Sequence, residues 1–201
     1  HSFSRRQRQM CIRDRFKLEG SFSEVEYQRK NIKRLAKKYN GLLGGSKEGK
    51  VGYNITMVIA YIREFFVPQG ILGETLETAV PWSKINQVKD EANKLLTELH
   101  KKYDLPGKPF FCSRISKVYH TGICMYNTMG INVRGIKNPE KVFSDIEHKI
   151  RECFIKNGGS ISHHHGVGKL RKDFMPETIS PGSIDVIQGI KKSQDPNNIF
   201  G

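Results

Sequence analysis

The sequence predicts an α+β fold: an antiparallel sheet covered on one face by helices, followed by a C-terminal segment of different character. Three observations carry this. From Phe16 to Asn157 the order reads strand, helix, turn of helix, strand, long helix, two strands, helix. Two of the helical segments carry a clean apolar stripe at 3–4 spacing. No repeat or low-complexity tract interrupts the order, and one helical layer over one sheet is the economical way to bury both apolar faces.

Taken in order, "RFKLEG", ending at Gly20, reads as the end of a strand. Ser23 and Glu26 have the spacing of a capping box, and Val25, Ile32, Leu35, Ala36 and Tyr39 share one face of the helix that follows, up to Asn40-Gly41. "NITMVIAYIREFF", Asn54 to Phe66, is apolar and reads as a short buried helix with Arg63 near its end. "GILGETLETAV" alternates as a strand does. Pro81 and Trp82 open the clearest helix, with Ile85, Val88, Ala92, Leu95, Leu96 and Leu99 on one side. "KPFFCSRISKVY" and "TGICMYNTMGINV" are two strands around His120 and Thr121. Asn138 then caps a helix with Pro139 at its first position. Its stripe is Val142, Phe143, Ile146, Ile150 and Phe154, and Asn157-Gly158-Gly159 stops it.

After Gly159 come a glycine-framed strand and turn, a proline-rich linker, a short helix from about Ser183 to Lys192, and "DPNNIFG". This tail is too short for a core of its own and is expected to pack on a part of the protein that this sequence lacks. The domain reading is residues 1–15, non-native or disordered; residues 16–157, one layered domain; and residues 158–201, the returning segment.

The chain has 201 residues and a formal charge of +14. Five arginines and one aspartate in the first fifteen residues contribute four of those charges, and the excess elsewhere still favours anionic partners. Apolar runs such as "ITMVIAYI" are far shorter than the ~20 residues that span a bilayer. Cys11, Cys112, Cys124 and Cys153 are too widely spaced for a zinc knuckle or a disulfide framework and read as reduced thiols. Basic character without interleaved aromatics or a recognisable motif argues against a nucleic-acid-binding module.

The chemistry concentrates in "GGSISHHHGVGKLRK", Gly158 to Lys172. If Ser160 to His165 is extended, His163 and His165 share one face and His164 takes the other. That spacing also suits zinc, but no third and fourth ligand is evident in the sequence, so no metal is expected. "HGVGK" fails both nucleotide signatures: Arg171 stands where a dinucleotide fingerprint needs glycine, and His163 and Leu170 stand at required P-loop positions. Arg63, after eight largely apolar residues, calls for a fixed anion, either a structural carboxylate or a ligand. By spacing alone Tyr126, mid-strand, is a core tyrosine or a catalytic one.

"GGSISHHHGVGKLRK", "DPNNIFG", "YIRE", "ETAVPW" and "GICMYN…RGI" together resemble the C-terminal part of the alkylglycerone-phosphate synthase family. These are FAD-dependent enzymes of the vanillyl-alcohol oxidase type. The resemblance runs in order from about Phe16 to Gly201. It implies the cap domain of a flavoprotein plus a segment that returns to an FAD domain. It also implies exchange of the acyl chain of 1-acyl-dihydroxyacetone phosphate for a long-chain fatty alcohol. FAD is the implied cofactor, its phosphate-binding residues lying upstream. Tyr126 falls on the family's proton donor and acceptor, Arg63 on its phosphate-holding arginine, and His163, His164 and His165 on its essential histidines. Peroxisomal location, a homodimer and association with a membrane surface are further expectations. FAD-linked 2-hydroxy-acid dehydrogenases are the competing reading; they lack three consecutive histidines.

Overall fold

The computed structural model describes residue 16 and residues 18–200. The segment 1–15 lies outside the described residues, as does Gly201. The chain divides into two compact units, His1–Ile62 and Arg63–Gly201.

In the first unit, residues 16 and 18–20 form no strand. Gly20 turns the backbone at φ 135°, and helix α1 follows over Phe22–Lys38. Its capping box lies two residues earlier than the sequence reading put it. The Ser21 hydroxyl accepts from the Glu24 N–H, and the Glu24 carboxylate accepts from the Ser21 N–H at 2.7 Å. The pattern S-x-x-E occurs at both registers, and the extended backbone needed at the cap falls on Ser21. Helix α2 spans Ser46–Phe66, not a short segment from Asn54. Lys47, Glu48 and Lys50 are good helix formers, so the helix continues upstream through residues that carry no apolar stripe. Its closing residues Tyr61, Ile62, Phe65 and Phe66 are exposed, contrary to the buried helix expected.

The second unit holds the sheet. Strands β1 (Ile71–Pro81), β2 (Phe110–Val118) and β3 (Gly122–Asn132) are antiparallel in the order β1-β3-β2. β3 is the centre, and β1 is an edge. Helices α3 (Ile85–Lys102) and α4 (Pro139–Lys156) pack together over one face. Antiparallel register sorts the side chains. Leu76, Thr78 and Val80 lie opposite Asn127, Met125 and Ile123 and face the helices. Val88, Ala92, Leu96 and Leu99 from α3, and Ile146, Ile150 and Phe154 from α4, close the core over them. The intervening set, Glu77, Ala79, Cys124 and Tyr126, belongs to the opposite face.

Asn138 sits in left-handed backbone and its side chain makes no cap hydrogen bond, so Pro139 alone sets the entry to α4. The tail first docks on the sheet. Ser160 pairs with the free edge of β1: its N–H donates to the Ala79 carbonyl at 3.0 Å, and the Ala79 N–H donates to its hydroxyl at 2.9 Å. Gly159 is required there, because a Cβ would stand 2.4 Å from Thr78 Oγ1 and 2.9 Å from the Phe154 carbonyl. A helical turn α5 (Gly168–Arg171), a 3-10 turn over Lys172–Glu177 and helix α6 (Pro181–Gln194) complete the chain. Phe174 of the 3-10 turn is buried, its ring 4.7 Å from that of His148 on α4. Among the described residues no helix is long and apolar enough to cross a membrane.

Candidate active site

The sheet face away from the helices carries one row across all three strands. Glu77 on β1 lies opposite Tyr126 on β3, which lies opposite Arg114 on β2. The Arg114 guanidinium sits 4.5 Å over the Tyr126 ring. Having caught the edge of β1 at Ser160, the chain climbs onto this face and brings its histidines to the row.

The climb ends on Glu77. This carboxylate is 1% exposed, and its Oε1 accepts the Ser162 hydroxyl at 3.0 Å and three consecutive backbone N–H groups. Those donors are His163 at 2.7 Å, His164 at 2.5 Å and His165 at 2.5 Å. A strand cannot aim three successive N–H groups at one atom, since they alternate in direction. The extended reading of Ser160 to His165 is therefore corrected: the segment is a run of bends wrapped around a carboxylate. Burial is the largest influence on Glu77 and raises its pKa, but the four donors together outweigh it and hold the carboxyl at about 2.

The three side chains spread from this point. His163 Nε2 lies 2.6 Å from the Tyr119 hydroxyl, and His163 Nδ1 lies 3.0 Å from His164 Nδ1. His164 Nδ1 is also in direct contact with Glu77 Oε2. The His164 ring stacks on Tyr126 with centroids 6.0 Å apart, and the His165 ring meets Tyr126 edge-on at 5.4 Å. Desolvation pushes the His165 pKa below the usual imidazole value, against the pull of Glu77 and with the push of His164 and Arg171. A neutral imidazole beside a phenol is a proton acceptor at neutral pH. Arg171, buried at the end of α5, donates to the Gly166 carbonyl at 2.9 Å and ties down the far end of the segment.

Of the residues singled out by the resemblance, the fold brings His164 and His165 against Tyr126 and sets His163 beside His164 and Tyr119. Arg63 is not among the residues that converge here; it lies exposed in the last turn of α2. Sequence reading missed Glu77, Arg114 and Tyr119. Only Glu77 left a signal, an acidic residue set between the apolar Leu76 and Ala79-Val80 of a strand that reads as buried. It also missed ligand-type neighbours for the histidines. Glu77, Cys124, His163 and His164 place four such atoms within 4.8 Å of one another, as a divalent ion would need. Burial pushes the Cys124 thiol up, and Glu77 Oε1 is already filled by four donors.

A three-stranded antiparallel sheet with its helices on one face and a tyrosine–histidine site on the other defines a class. The chain belongs to the FAD linked oxidases, C-terminal domain, family, whose model matches residues 19–201. Within it, the chain is 38% identical over 182 residues to alkyldihydroxyacetonephosphate synthase of Caenorhabditis elegans, covering 90% of this chain and 30% of that protein. It is 25% identical over 181 residues to the synthase of that name from Dictyostelium discoideum, covering 90% and 29%. A solved alkyldihydroxyacetonephosphate synthase structure shares the fold with a TM-score of 0.61 at 20% identity, over 89% of this chain and 28% of the other. The chain spans about 30% of the length of these relatives.

FAD is the cofactor of this family. The described residues build no cradle for its phosphates: Gly166 and Gly168 frame a single residue and lead into a helix of four.

Proposed function

We propose that this chain carries the proton-transferring face of an alkylglycerone-phosphate synthase. That enzyme exchanges the acyl chain of 1-acyl-dihydroxyacetone phosphate for a long-chain fatty alcohol in ether lipid synthesis. The observation that supports it best is Tyr126 packed against the adjoining rings of His164 and His165, on a segment fastened to Glu77. The exchange needs a group that removes and returns a proton at carbon 1 of the dihydroxyacetone phosphate. It also needs one that takes the alcohol's proton, while the acyl chain departs as a carboxylate. Tyr126 does the first, and the histidines do the second. The Arg114 guanidinium stacks over the phenol ring and helps to fix its orientation. Arg63 is the candidate for the substrate phosphate, a task that suits a planar fork of donors. FAD is held by residues outside this chain. The setting proposed is peroxisomal, as a homodimer meeting its lipid substrates at a membrane surface.

Tyr126→Phe tests the assignment. It removes one hydroxyl and little volume, so the packing cost is about 1 kcal/mol or less. General acid–base groups contribute about 10²–10⁴-fold in rate. In the full-length protein, ether-bond formation and solvent hydrogen exchange into carbon 1 are expected to vanish together, with FAD content unchanged. Normal turnover in this variant removes Tyr126 from the mechanism.

A further inference from the structure

The contact between the two Nδ1 atoms of His163 and His164, at 3.0 Å, constrains where protons sit. Two ring N–H groups cannot face each other at that distance, and two bare nitrogens repel. One of the pair carries a proton and the other accepts it. Glu77 decides which. Its Oε2 lies against Nδ1 of His164 and is 3.8 Å from Nδ1 of His163, and among the described residues no donor is aligned on it. A buried, ionised oxygen demands a donor, so the proton belongs on His164. The one Nδ1–H of His164 is then shared between Glu77 Oε2 and the bare Nδ1 of a neutral His163, which carries its own proton at Nε2, where the Tyr119 hydroxyl accepts it at 2.6 Å. The four contacts form one consistent chain, Glu77–His164–His163–Tyr119.

We propose that Glu77 is a positioning residue that sets opposite tautomers in two adjacent histidines, Nδ1–H in His164 and Nε2–H in His163. His164 is left with a bare, basic Nε2 on the ring that stacks on Tyr126. The role of that nitrogen as proton acceptor rests on the proposed exchange reaction; the tautomers do not. The same carboxylate also fastens the backbone of both residues. One side chain thereby fixes where the rings stand and which nitrogen of each is free.

The test uses purified protein with ¹⁵N-labelled histidine rings, the signals assigned from single His→Gln variants. Ring nitrogen shifts are expected to report Nδ1–H for His164 and Nε2–H for His163. In Glu77→Gln the amide oxygen can still accept the three backbone N–H groups, but its NH₂ faces His164 Nδ1. His164 is then expected to switch to Nε2–H, and turnover to fall roughly 10²-fold or more with KM little changed, as when an orienting carboxylate is neutralised. Should that variant not fold, the wild-type spectrum decides alone. Nε2–H on His164 in the wild type overturns the inference. So does an unchanged His164 tautomer in a folded Glu77→Gln variant, and so does one equivalent of zinc in the purified protein, because a metal on both Nδ1 atoms would take the proton's place. Full-length, FAD-loaded wild-type protein with the expected tautomers but no ether-forming activity refutes the proposed reaction and leaves the positioning role standing.

Discussion

Glu77 is the residue on which most depends. A carboxylate taken from water costs several kcal/mol unless its lone pairs are filled, and here one oxygen receives four donors. Its pKa lies near 2 in the folded protein against 4.5 for an ordinary glutamate. A depressed carboxyl pKa contributes stability above the unfolded value, and that contribution is lost as pH falls through the folded one. The shift corresponds to roughly 3 kcal/mol. Denaturant midpoints of the wild type are therefore expected to fall steeply between about pH 5 and pH 2. Glu77→Gln, less stable at neutral pH, should lack that component. Parallel pH profiles for the two proteins would refute it. His165 works in the opposite pH range, because its lowered pKa keeps it neutral where a free histidine begins to charge.

The elements explain how a short tail can carry a site. β1 is an edge strand, and an edge offers unpaired backbone groups to whatever passes. The Ser160–Ala79 pair uses them, and Gly159 makes the approach possible. Gly159→Ala is expected to cost about 1–3 kcal/mol by overpacking against Thr78 and the Phe154 carbonyl. It should lower turnover as well, since the histidines follow directly. Gly189→Ala is the matched control. It lies within α6 with nothing within 4 Å of where a Cβ would stand, and alanine there should stabilise by about 0.5–1 kcal/mol. Urea unfolding of both variants checks the sign of each change. "DPNNIF" has a structural basis too. The Asp195 carboxylate accepts from the N–H groups of Ile199 at 2.8 Å and Phe200 at 3.0 Å, with Asn198 in left-handed backbone. That turn leaves both apolar side chains exposed.

At the scale of the molecule, the described residues build the candidate site but no cradle for the cofactor's phosphates. The sheet face, the histidine segment and Arg171 hold one another in place within the unit Arg63–Gly201. The described glycines form no phosphate loop. The 201-residue chain by itself is therefore expected to bind FAD weakly or not at all and to show no synthase activity. Flavin absorbance co-purifying with it at near-stoichiometric level would count against this. Val186, Ile187 and Ile190 on α6, and Ile199 and Phe200 after it, are exposed, large apolar side chains of the kind a packing surface uses.

The sequence by itself determined what local physics controls. Period-2 alternation marked β1, and 3–4 spacing marked the stripes of α3 and α4, because each element must put its apolar side chains on one face whatever lies beyond. The histidine run announced the chemistry, and its resemblance to a family pointed to Tyr126. The start of α2 was not legible, since a helix can extend through lysine and glutamate without leaving a stripe. Nor was the shape of Ser160 to His165, where only tertiary structure decided the outcome. Those residues have no local preference for a bend around a point. They take one because Glu77, more than eighty residues earlier, is buried and ionised and must be given donors. The cross-strand row of Glu77, Tyr126 and Arg114 exists only once three strands are in register. Spacing along a chain cannot say which residues will be opposite, because that depends on how the strands pair.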